Sequence, residues 1–117
     1  MNERDENLLN FIKEEAELLL EVTEEYDLQR FLDSKLMQHA VSMVLIHIGE
    51  SVKLLSKELK EENNIIKWRF IAGLRDIAAH GYRTLYMDDI WGVVTEDVPD
   101  LLEKVKDILL VEEVERG

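Results

Sequence analysis

Leu8, Ile12, Ala16, Leu19 and Thr23 recur every three or four positions, and Leu9 and Leu20 widen the stripe. That is the period of an amphipathic helix. Glu14, Glu15, Glu17, Glu21, Glu24 and Glu25 fill much of the opposite side, so a first helix is predicted over roughly residues 4 to 26. A second seam runs through Met37, Val41, Val44, Ile48, Val52, Leu55 and Leu59. Asp33 or Ser34 can cap it through a side-chain oxygen, and the helix is predicted to reach about residue 60. Leu36, Ala40, Met43, Leu45 and Ile46 broaden its first half, the composition of a helix that packs on more than one neighbour.

The polar run Lys60-Glu61-Glu62-Asn63-Asn64 reads as a surface loop. A third helix begins near Ile66 or Trp68 and stops around His80-Gly81, where Gly81 suits a C-terminal cap. Tyr82 to Met87 form a connection. Asp88 or Asp89 can cap a short helix carrying Ile90, Trp91, Val93 and Val94. Pro99 is tolerated in the first turn of a last helix, which carries Leu101, Leu102, Val105, Ile108, Leu109 and Val111. No repeat, low-complexity tract or strand-like alternation interrupts this order. The expected fold is all-α, an up-and-down bundle of four or five helices. Residues 1–117 read as a single domain.

Composition narrows the chemistry. With no Cys, the chain has no thiol nucleophile, disulfide or thiolate zinc site, which fits the cytoplasm. The acidic, polar start is not a targeting segment. The apolar stretch from Ala40 to Ile48, broken by Ser42 and His47, is too short to span a bilayer. The formal charge of −12 opposes general attraction to phosphates. Any nucleic-acid function therefore rests on a local site, a basic partner, or both; the acidity can equally serve solubility or a positively charged partner protein.

The informative segment is Arg75-Asp76-Ile77-Ala78-Ala79-His80-Gly81-Tyr82. Asp76 and His80 stand four apart on one helix face, where the carboxylate can accept from the imidazole and fix its tautomer. Arg75 lies about 140° round the helix from His80, so one helix does not aim both at one small target. Two copies facing across a two-fold axis can build a shared groove. Such a groove suits metal-independent phosphodiester cleavage: Arg holds phosphate oxygens, His moves a proton, and RNA brings its own 2′-hydroxyl. The alternative is a surface ion pair with a C-terminal capping histidine, and physics alone leaves it open.

Arg75, Asp76 and His80 resemble the defining frame of the HEPN superfamily, and the following Gly81 and Tyr82 extend it as in HepT-like members. Ile48-Gly49-Glu50 with Leu54-Leu55-Ser56 resembles the family's second helix. Ile66-Lys67-Trp68 and Ile71-Ala72-Gly73-Leu74 resemble the approach to its motif, and Trp91 with Asp97-Val98-Pro99-Asp100-Leu101 its last region. Where the family frequently has Asn, this chain has Asp76, one more negative charge near the phosphate site. The resemblance implies a homodimeric endoribonuclease whose Arg75 and His80 line a composite cleft, Asp76 supporting. It implies the toxin role in a toxin–antitoxin module of the type II or VII kind, with RNA as substrate and no cofactor. The implied partner is an MntA-like minimal nucleotidyltransferase, which attaches AMP from ATP to the tyrosine, here Tyr82, or neutralises by binding. A catalytically weak or inactive HEPN dimer that docks such a partner is the alternative; a plain structural bundle is a third.

Glu50 can pair with Arg75 across the helices and orient it, or stand as a solvated charge. His39 and His47 lie two turns apart but lack a Glu-x-x-His companion, and no metal site is expected. Trp68 and Trp91 are expected as core anchors. Lys67, Arg69 and Arg83 can form a small basic rim near the motif.

Overall fold

The computed structural model describes residues 1–81 and 86–117. Helix α1 spans Glu3–Thr23, α2 Leu28–Asp33, α3 Lys35–Leu54, α4 Lys57–Glu62, α5 Trp68–Gly81, α6 Met87–Gly92 and α7 Val98–Arg116, with a π-helical turn over Val93–Asp97 between the last two. The all-α bundle expected from the periodicity is what forms. Leu9, Ile12, Ala16 and Leu19 of α1 are fully buried, so the buried stripe opens at Leu9, and Leu8 and Leu20 flank it. Asn2 caps α1 by accepting from the Asp5 amide at 2.7 Å.

The long second helix expected to residue 60 is instead two. α3 ends at Leu54, and Ser56 starts α4, its Oγ accepting from the Leu59 amide at 3.2 Å. Asp5 holds this break: its carboxylate accepts from the Ser56 amide at 2.9 Å and from the Ser56 hydroxyl. Asp5 is only 2% exposed, so these bonds offset the desolvation of a buried carboxylate. Consequently Lys60, Glu61 and Glu62, expected in a loop, are helical, and the connection to α5 covers residues 63–67. The six residues of α2 are too few to show a period; Asp27 caps it by accepting from the Arg30 amide at 2.8 Å. Phe31 is its buried anchor, stacked on Trp91 at 5.0 Å between ring centroids.

Neither Asp88 nor Asp89 is the cap of the short helix. Tyr86 occupies that position without a side-chain bond, and the two aspartates lie in the first turn of α6. Pro99 sits in the first turn of α7 as expected. The α6 helix passes through the π turn into α7 without an intervening loop.

Helix α3 lies between α5 and α1, and α1 also packs on α7. The first turns of α1 meet the ends of its neighbours, Asp5 at Ser56 and Glu6 at Arg116. Both pairs are therefore antiparallel, the up-and-down arrangement. Trp68 is a core anchor whose indole donates to the Asn63 carbonyl at 3.1 Å. Among the described residues, no helix is long and apolar enough to cross a membrane.

Candidate active site at the crossing of α3 and α5

Gly49 sets how closely α5 approaches α3. A Cβ there would lie 2.7 Å from the Arg75 Cβ, 2.8 Å from the Arg75 nitrogen and 3.0 Å from the Ala72 carbonyl oxygen. Only a residue without a side chain lets the backbones come so near. The next residue, Glu50, then stands beside Arg75. Its Oε1 accepts from Arg75 Nε at 2.7 Å, and Asp76 Oδ1 accepts from Arg75 Nη1 at 3.1 Å.

Of the two readings of Glu50, the structure has the paired one. The guanidinium stays about 40% exposed. Both carboxylates raise its pKa, the hydrogen bond it donates to Glu50 most and the one to Asp76 next, so the group keeps its charge. Nη2 makes no hydrogen bond to another described residue.

Asp76, whose spacing also allows it to accept from His80, accepts from Arg75 in the structure. The reason is proximity: Arg75 is its chain neighbour and brings a planar fork of donors. His80 lies exposed in the last turn of α5. Tyr82 and Arg83 lie outside the described residues. Lys67, just before α5, and Arg69, in its first turn, are both exposed, and Arg69 is about three turns from His80.

Sequence reasoning missed the partner of His47, which is Glu15 on α1, bonded to Nδ1. Phe11 packs near the same ring at 6.0 Å. The signal was present only as opposing helical faces, Glu15 on one stripe and His47 on the other. His47 lies, half-buried, on a line of α3 whose other members, Leu36, Ala40, Met43, Glu50 and Leu54, are exposed. Their spacing of four and three is a heptad seam. Leu36 is 82% exposed and Met43 55%. On α1, Phe11, Leu18 and Val22 are exposed at the same heptad spacing around Glu15. An apolar strip thus runs across both helices and passes beside the Glu50–Arg75 pair.

The ribonuclease HepT-like family model matches residues 12–108, which include every helix of this site. The chain belongs to that family, and so to a class of endoribonucleases. A protein of Caldanaerobacter subterraneus subsp. tengcongensis named as a putative RNase is 34% identical over 101 residues, covering 86% of this chain and 90% of its own. A Methanocaldococcus jannaschii protein with the same kind of name is 31% identical over 107 residues, covering 91% and 98%. The "Probable ribonuclease HepT" of Thermococcus cleftensis is 35% identical over 104 residues, covering 89% and 94%. No solved structure matches this HepT-like chain significantly.

Proposed function

We propose that this HepT-like chain cleaves RNA in a cleft shared by two protomers, with Arg75 and His80 as catalytic residues and residues 1–117 as one domain. The observation that carries the reading is the oriented, exposed guanidinium of Arg75 within the family-matched segment. Glu50 and Asp76 fix its plane, and its outer edge serves the non-bridging oxygens of a phosphodiester. The ribose 2′-hydroxyl attacks the adjacent phosphorus, and the 5′-oxygen of the next nucleotide leaves. His80 handles one of the two protons, from the nucleophile or to the leaving oxygen. No metal and no cofactor enters this scheme.

The heptad strip on α1 and α3 supports the homodimer. A monomer seldom leaves a regular apolar seam in water, and a second copy laid on it would pass beside Arg75. The test is cleavage of end-labelled single-stranded RNA in the presence of chelator. His80→Ala and Arg75→Ala are each expected to cut at least about a hundredfold more slowly, with unchanged helix content. Cleavage at the wild-type rate by either variant overturns its assignment.

In the biological setting the protein would be the toxin of a toxin–antitoxin pair in the cytoplasm. An MntA-like nucleotidyltransferase would transfer AMP from ATP to the Tyr82 phenol oxygen, releasing pyrophosphate. The added bulk and negative charge would block RNA at the neighbouring site. Co-expression with that partner is expected to add whole AMP units to the intact mass, and Tyr82→Phe to abolish the gain.

A second reading has an observation of its own. Two carboxylates on one guanidinium leave the Arg75 cluster net negative, which disfavours phosphate. A HEPN dimer that binds the nucleotidyltransferase and cuts no RNA fits that charge. It predicts no growth arrest when this chain is expressed alone, and arrest relieved by Arg75→Ala contradicts it.

A further inference from the structure

A groove of ≈ 600 Å³ runs between α4, the turn after it, and α7, away from the Arg75 cluster. Its floor is apolar, made by buried Leu59 and Ile66 together with Ile108, and its lips carry Ile65, 73% exposed, and Val111. Carboxylates surround it. Asp100 is paired with Lys104, and Glu112 with Arg116 and with the Met1 ammonium; Lys104 and Met1 also line the groove. Glu62, Glu103, Asp107 and Glu115 also line the groove and have no cation partner among the described residues.

We propose that this groove docks a basic amphipathic helix of a partner protein. Apolar side chains at the spacing of one helix face would enter the floor, and flanking Lys or Arg would meet the free carboxylates. From Asp100 to Glu115 the rim on α7 is about 22 Å long, which accommodates a partner helix of about four turns. The charge selects among occupants. RNA would set its phosphates against four unpaired carboxylates. A second copy of a chain of net charge −12 would bring more of the same sign. A cationic helix alone gains from both the floor and the rim.

The probe is a labelled peptide of about 16 residues in which Leu forms one helical stripe and Lys flanks it, compared with the same residues in scrambled order. Fluorescence anisotropy is expected to show the ordered peptide binding about tenfold tighter or more. Ile65→Ser with Val111→Ser should weaken it by about tenfold; both side chains are exposed, and circular dichroism checks that the fold is kept. Glu103→Lys with Asp107→Lys should weaken it further, whereas Glu14→Lys with Glu21→Lys on α1 should leave it within about twofold. Equal losses from the two charge reversals, no preference for the ordered peptide, or no binding would overturn the proposal. So would displacement of the peptide by an RNA oligonucleotide, or self-association of the chain that Val111→Ser abolishes.

Discussion

Arg75 spends Nε on Glu50 and Nη1 on Asp76, so its plane is set before any substrate arrives. A half-exposed ion pair contributes little to stability by itself, so in the proposed reaction Glu50 would serve as a positioning residue. Glu50→Ala is expected to lower the rate of RNA cleavage by about tenfold, by loosening the guanidinium, with the thermal midpoint little changed. An unaltered rate would return Glu50 to an ordinary surface charge. The sequence supplied this pair as one of two readings, because which carboxylate faces Arg75 depends on how α5 crosses α3. Asp97 behaves differently. Burial first, then neighbouring Glu96 and Asp100, raise its pKa against the opposing pull of Lys67. A carboxyl with a raised folded pKa binds its proton more tightly in the folded chain. Its contribution to stability is fully present below the ordinary carboxylate range and is lost as pH rises through the raised value. Asp97→Asn is therefore expected to raise the thermal midpoint at pH 7 and to give no gain near pH 3, measured by thermal melts at both.

At the scale of elements, periodicity predicted the cores of α1, α3 and α7, since each buries one stripe over several turns. It ran through the break between α3 and α4 because Leu55 and Leu59 stay in phase with Val52, and both are buried. What stops the helix is Ser56 meeting Asp5, 51 positions away in the chain, and no local pattern encodes such a contact. Asp5→Ala would strand the Ser56 amide and is expected to cost about 1.5–3 kcal/mol in chemical denaturation. Likewise α2 and the π turn are too short to show a period. Gly49 was legible as part of a family resemblance, but its physical role needs the crossing helix. Gly49→Ala must push α5 off α3 and is expected to cost about 1–3 kcal/mol, with RNA cleavage reduced as Arg75 shifts from Glu50.

For the whole molecule, the charge of −12 means that few cations can meet an RNA backbone. Cleavage should therefore depend weakly on salt, KM rising less than about tenfold between 50 and 200 mM, where a protein making many phosphate contacts would lose about a thousandfold or more. The apolar strip of α1 and α3 answers the other difficulty, the angle of about 140° between Arg75 and His80 around α5. Two chains joined along it can bring the Arg75 of one near the His80 of the other. The most direct measurement is subunit complementation: Arg75→Ala and His80→Ala chains, each inactive alone, are unfolded together, refolded, and assayed on labelled RNA, with native mass spectrometry confirming mixed dimers. A cleft shared between protomers predicts recovery to about a quarter of the wild-type rate, since half the dimers are mixed and each restores one of two sites. Mixed dimers that form and cut no RNA would contradict the shared cleft.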